Sequence, residues 1–433
     1  MDKILSPESP PVDPASPNAI RIRRVEFDFK REPFRKPLGF KGGHCTEKWI
    51  NQISLTSESG SRATSSGGQA VLWADERVFL SRTEAGANTL MATVAEFALQ
   101  RARRESFRSP LELHDSIVDD VHAFACGLTG LPDLSPTFTL NAMVALDNAA
   151  WLLHAREHGI ASFDELIPAE FRPALSERHD LVACIPLLSY TTPAEEIIET
   201  VERGHFFLKI KIGAPGNARE MLAADKKRIR EINRLVGDRE TPHTADGRIR
   251  FYLDANGRYQ SRNQVEELLE VADRDGFLAQ IALFEEPFNE RTEAGIIGLP
   301  VVFAADESLH HAADVAARRH AGFGAVALKP AGKGLTTTLR LAREARRLGA
   351  SLFVADSACT PELLDWNKNV AARLPALDGI KIGLIEVNGW QSYDHWEQML
   401  DAHPACGEPS FRAADGVFRL DDEFYATGGL FKP

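Results

Sequence analysis

The stretch Gly204-His-Phe-Phe-Leu-Lys-Ile-Lys-Ile-Gly213 (GHFFLKIKIG) reads as a buried strand, yet it carries two lysines, Lys209 and Lys211. Residues two apart in a strand point the same way, so both amines share one face, and Phe206, Leu208, Ile210 and Ile212 share the other. Either the lysine face meets water, or it meets an interior that needs positive charge.

The surroundings of the stretch decide between the two. From Leu181 onward, short apolar runs alternate with amphipathic helical segments: VACIPLLSY (182–190), FFLKIKI (206–212), IRFYLD (249–254), IALFEEP (281–287), PVVFAADES (300–308), AVALKP (325–330), LFVADS (352–357) and IKIGLIEV (380–387). Strands that alternate with helices are parallel strands joined by crossovers. Eight such units within about 220 residues predict a closed (β/α)8 TIM barrel over residues 181–400. The inner face of such a barrel is dry except at its ends, so Lys209 and Lys211 are expected to point inward, near the end marked by Gly213.

An isolated buried ammonium is costly, and the same pattern supplies partners. Strand three ends in Asp254, strand four in Glu285 and Glu286, strand five in Asp306 and Glu307, strand six in Lys329 and strand eight in Glu386. An acid at a strand end can simply cap the next helix. Three consecutive strands that end in carboxylates, flanked by two that end in lysines, form an organised pattern at the face where barrel enzymes keep their chemistry. Hard oxygen donors converging on one point suit Mg²⁺, and the lack of His or Cys in the set argues against zinc.

The 433 residues are 44% hydrophobic and 26% charged, the composition of a globular protein, with a net charge of −12. That charge argues against a nucleic-acid partner, and the basic run 226–234 is read as a solvated helix face. Five scattered cysteines without a C-x-x-C point to a reduced, cytoplasmic setting, and the longest apolar run is too short for a membrane span. The Pro/Ser-rich residues 1–19 are expected to be disordered. Residues 20–160 read as an α+β domain: a strand over 20–29, a loop over 30–44, two more strands within 48–59 and 67–79, then helices.

These motifs together resemble the enolase superfamily, and within it the muconate lactonizing enzyme and dipeptide epimerase subgroup. The matching elements are K-x-K on strand two, D-x-N on three, E-E-P on four, A-D-E-S on five and a lone lysine on six. The resemblance implies an N-terminal capping domain on the barrel, completed by residues 401–433 returning to it. It implies Asp254, Glu285 and Asp306 as Mg²⁺ ligands, with Lys211 and Lys329 as the acid/base pair. Lys209 would lower the pKa of Lys211, and Asn256, Glu307, Glu386 and Asp356 would lie behind them or touch substrate. The implied chemistry is abstraction of the proton α to a carboxylate through a metal-stabilised enediolate. It leads to epimerisation, cycloisomerisation or β-elimination of a small carboxylate by a homo-oligomeric enzyme. Alternatives are an acid-sugar dehydratase, although strand seven lacks the His used there, and a homologue that only binds. Strand eight has Glu386-Val387-Asn388 where the dipeptide epimerases carry D-x-D. Phe34, Arg35, Lys36, His44, Trp73 and Arg77 of the cap are candidates to touch substrate.

Overall fold

The computed structural model describes residues 19–290, 292 and 295–431. The expected disordered tail thus lies, apart from its last residue, outside the described residues.

The N-terminal domain is built on a long antiparallel hairpin. Strand β1 (Ile20–Phe40) pairs with β2 (Gly43–Ser57) from Ile22↔Ser57 to Phe40↔Gly43, with a register shift between Pro33 and Leu38. The segment 30–44, expected as a loop, is therefore mostly strand. Its prolines lie in or beside the break in pairing, where a missing N–H costs least. The hairpin turns at Lys41 and Gly42, both at positive φ (46° and 76°). Strand β3 (Arg62–Gly68) flanks β2, but the next expected strand is helical: α1 (Val71–Ala74) and α2 (Glu76–Leu80). Asp75 starts α2, its side chain accepting from the Arg77 N–H, and burial of Leu72 and Val78 in the cap core holds both turns. Helix α3 (Glu84–Ala102), the short β4 (Ser106–Phe107) beside β1, α4 (Pro110–Thr129) and α5 (Pro136–His158) complete the domain.

Helix α5 fixes the cap to the barrel and is buried on nearly every side. Asn141 Nδ2 donates to the carbonyls of Gly68 in the cap and Gly332 in the barrel, both at 3.1 Å. A Cβ on Gly67 would lie 2.5 Å from the Ala145 nitrogen, so glycine is what lets β3 approach the helix.

After α6 (Phe163–Leu166) the barrel follows. Its first stave is β5 (Leu181–Ile185) and β6 (Leu187–Leu188), interrupted at Pro186. Then come α7 (Ala194–Glu202), β7 (Phe207–Lys211), α8 (Ala218–Val236), β8 (Arg250–Asp254), α9 (Arg262–Arg274), β9 (Ile281–Glu285), β10 (Phe303–Ala305) and α10 (Ala312–His320). The second half is β11 (Ala325–Leu328), α11 (Pro330–Lys333), α12 (Leu335–Arg347), β12 (Ser351–Val354), α13 (Pro361–Ala371) and β13 (Gly383–Glu386). All neighbours are parallel. β6 pairs with β7, and β13 pairs with β5, which closes the ring. The alternation read from the sequence is therefore a closed eight-stave barrel beneath an N-terminal cap.

The chain continues through α14 (Gly389–Ser392), α15 (Trp396–Asp401), β14 (Val417–Arg419) and α16 (Asp422–Thr427). Residues 401–431 lie against the barrel. β14 adds antiparallel to the outside of β5, and Phe411, Phe418, Leu420 and Phe424 are buried in the barrel core. The contact with the cap comes earlier, where Phe34 pairs with Tyr393, Arg35 with Asp394 and Glu32 with His395. No helix among the described residues is long and apolar enough to cross a membrane.

Candidate active site

Strand register gathers the site. Lys211 pairs with Asp254, and Asp254 with Glu285, so three ionisable side chains from adjacent staves stand in one layer at the C-terminal mouth. Asp306, Lys329 and Asp356 follow the ends of β10, β11 and β12, and Glu386 ends β13. Each is nine-tenths or more buried.

Lys209 is enclosed by acids. Its Nζ lies 2.9 Å from Asp254 Oδ2 and 3.1 Å from both Glu285 Oε2 and Glu386 Oε2. Burial opposes its charge, but these carboxylates outweigh it and hold the ammonium well above the ordinary lysine range. Lys211 Nζ donates to the same Asp254 Oδ2 and to Asn256 Oδ1, each at 2.5 Å. The two ammonium groups are thus bridged by a carboxylate. Burial alone would raise Asp254, yet both lysines hold it well below the usual carboxylate range. On the opposite flank Lys329 donates to Asp306 Oδ2, and that acid outweighs burial and keeps the ammonium well above its ordinary value.

The remaining acids point at one another. Glu285, Asp306 and Glu307 each bring one oxygen within 4.8 Å of the others. Glu285 Oε1, Asp306 Oδ1 and Glu307 Oε2 are buried and lack any hydrogen-bond partner among the described residues. Burial, reinforced by Asp306, pushes the Glu285 carboxyl up to about 8. Three carboxylates with oxygens this close, each keeping one oxygen free of hydrogen bonds and Asp306 Oδ1 facing Lys333 Nζ at 3.6 Å, fit a divalent cation such as Mg²⁺. Of the expected set, Glu285 and Asp306 belong to this cluster and Asp254 adjoins it through Lys209. Glu307 joins it, held by Asn256 Nδ2 at 2.9 Å and Lys41 Nζ at 3.3 Å. Asp254 is instead engaged by Lys209, Lys211 and the Asn256 N–H. Glu286 faces away from this point: its Oε1 accepts from the Asp306 N–H and from the Ser308 N–H and hydroxyl, and burial pushes it up to about 7.

Glu386 Oε2 also accepts from the Asp356 N–H, and its Oε1 from Asn388 Nδ2. Asp356 in turn accepts from the Asn388 and Cys359 N–H groups. Four of the non-glycine residues at positive φ, Lys41, Asn256, Glu286 and Ala358, ring this mouth, as strained backbone does at functional sites.

The cap closes the site from above. The Trp73 ring faces Lys329 Nζ at 4.3 Å and Lys333 Nζ at 5.5 Å. Phe40 stands over Lys211 at 5.6 Å. A cavity of about 70 Å³ remains between hairpin and barrel, lined by Phe34, Phe40, Leu72, Trp73, Lys211 and Lys329. Of the cap residues singled out in the sequence, Phe34 and Trp73 line it. Arg35 and Lys36 pair with Asp394 and Glu196, Arg77 with Asp75 and Asp133, and His44 is exposed. The sequence reading missed Lys41, Lys48 and Lys333. Lys333 is buried and donates to the carbonyls of Asp306 (2.5 Å) and Leu309 (2.8 Å). Lys48 stands in a buried run of β2, the same signal that singled out Lys209.

No family model and no curated protein matches the sequence. Solved structures do match the fold. The mandelate racemase/muconate lactonizing protein from Herpetosiphon aurantiacus superposes with a TM-score of 0.64 at 15% identity, covering 94% of this chain and 98% of that one. The dipeptide epimerase from Enterococcus faecalis V583, complexed with Mg and the dipeptide L-Leu-L-Tyr, gives 0.60 at 15% identity, covering 95% and 99%. The N-succinyl Arg/Lys racemase from Bacillus cereus gives 0.58 at 16% identity, covering 87% and 89%.

Proposed function

We propose that this protein, which shares its whole-chain fold with those racemases and epimerases, is a Mg²⁺-dependent enzyme. It exchanges the proton α to the carboxylate of a small acid and so racemises or epimerises it. The observation that carries the reading is the pair Lys211 and Lys329 on β7 and after β11, with the Glu285, Asp306 and Glu307 cluster at the ends of β9 and β10, which lie between those staves in the sheet order.

Glu285, Asp306 and Glu307 would hold the cation, with Asp254 adjoining through Lys209. Bound there, Mg²⁺ supplies the positive charge that an α-carbanion adjacent to a carboxylate requires. Lys211 and Lys329 hold and move the proton at Nζ, one removing it from one face of the carbon and the other returning it on the opposite face. Lys209, saturated by three carboxylates, balances charge. Trp73 and Phe40 exclude water above the lysines.

The test is proton NMR in D₂O over a panel of α-substituted carboxylates, N-acyl amino acids included, with Mg²⁺ and with EDTA. Loss of the α-proton signal only with Mg²⁺ is expected. Tight binding of an acid with no exchange on any member would instead mark a binding protein.

A further inference from the structure

Lys48 is 4% exposed, between buried neighbours of β2. Its side chain leaves the cap by crossing β3 at Gly68. A Cβ there would lie 2.5 Å from Lys48 Cε and 3.3 Å from Leu363 Cδ1, so a side chain at this position would push the lysine stem aside. The ammonium arrives at the barrel mouth, where it donates to the backbone carbonyl of Ser357 and, at 3.3 Å, to the Ser357 hydroxyl. Glu47 is occupied by Arg31 and the Trp49 indole.

The other ammonium groups of the mouth all have carboxylates: Lys209 and Lys211 share Asp254, Lys329 has Asp306 and Lys41 has Glu307. Lys48 has no carboxylate within ion-pair distance among the described residues, although it lines the same cavity as Lys211 and Lys329. Burial therefore lowers the pKa of Lys48, with only a partial offset from Asp356, and a carboxylate placed beside it would restore the charged form. The cavity that Lys48 lines has apolar walls from Leu38, Phe40, Val71 and Leu72, and its carboxylates include Asp356 and Glu386.

We propose that Lys48 receives a second anionic group of the substrate, so that the substrate class is a small dicarboxylate: one carboxylate at the cation site, a short apolar body and the other carboxylate on Lys48. The assignment rests on the function proposed above.

The test titrates the full chain, loaded with Mg²⁺, with succinate, glutarate and adipate, each against the monocarboxylate of equal length. The wild type is expected to bind at least one diacid about 10- to 100-fold tighter than its matched monoacid, the range of a charge-assisted contact. Lys48→Met should cut that ratio to about 3-fold or less and leave monoacid affinity unchanged. Gly68→Ala keeps the ammonium but displaces its stem, and should lower the ratio as well; it serves if Lys48→Met fails to fold. A ratio that survives either folded variant, even with a lowered melting temperature, would reduce Lys48 to a brace on Ser357 and overturn the assignment. Equal wild-type affinity for diacids and monoacids would overturn it too and leave the proposed function standing. Failure of every acid to bind would remove both.

Discussion

Trp73, in a one-turn helix of the cap, donates its indole N–H to Asp306 Oδ2 of the barrel at 3.2 Å, and Lys329 donates to that same oxygen. The cap therefore touches the acid that carries the lysine. Trp73→Phe keeps a ring over Lys329 and loses the hydrogen bond. A bond to a charged acceptor contributes roughly 1.5–3 kcal/mol, so kcat/KM should fall about 10- to 100-fold. Trp73→Ala should fall further, because the cation–ring contact goes as well. Steady-state kinetics on any substrate found by the exchange screen decides this; unchanged rates in Trp73→Phe would make the contact incidental.

Lys211 and Lys329 should behave differently from Lys209. Replacing either of the first two with Met should slow α-proton exchange by about 10²–10⁴-fold, with exchange from one enantiomer suffering more in each variant. Lys209→Met leaves Asp254, Glu285 and Glu386 facing one another without their cation. Breaking such a buried set costs about 3–5 kcal/mol, so this variant should show the largest loss of stability in urea melts. Equal melting of all three variants would contradict the division of roles.

The divalent-ion set is separable by calorimetry. Glu307→Gln and Glu285→Gln should each weaken Mg²⁺ binding by at least about 10-fold, in the range by which even supporting groups tune metal sites. Glu286→Gln should have a smaller effect, because Glu286 bonds the Asp306–Ser308 backbone rather than facing the cluster. Full Mg²⁺ affinity in Glu307→Gln would remove that residue from the set.

Acid should loosen the cap. His114 of α4 is buried, and burial, helped by Arg340, pulls it down to about 3. The unfolded chain binds a proton near pH 6.5 and the folded chain does not, so the fold is fully supported above 6.5. Support declines as pH falls from 6.5 toward 3, by about 1.4 kcal/mol per pH unit. His114→Gln should flatten melting temperature against pH across that window. A parallel slope in wild type and variant would assign the acid sensitivity elsewhere.

Much of the site is legible in the amino-acid sequence. In β7 the lysines alternate with Leu208 and Ile210, so they share one face, and the strand–helix alternation around them makes that face the inner one. The carboxylates and Lys329 mark strand ends, which a parallel barrel gathers at one mouth whatever the loop lengths. Residues 30–44 and 71–80 depart from the expected loop and strand because their conformation is set by partners. Whether a Pro-containing segment runs as a strand depends on a neighbour such as β2, and Glu76–Leu80 is helical with Asp75 as its cap.

Local periodicity, a property of the chain alone, determined the eight staves, their order and the ionisable residues at their ends. Contacts between residues far apart in sequence decided the rest: Glu307 turned into the acid cluster, Lys333 tied to Asp306, the C-terminal segment laid on β5, and Lys48 carried past Gly68 to Ser357. Backbone period depends on neighbouring residues, whereas the neutralisation and burial of a charge depend on what the closed barrel and its cap bring within a few ångströms of it.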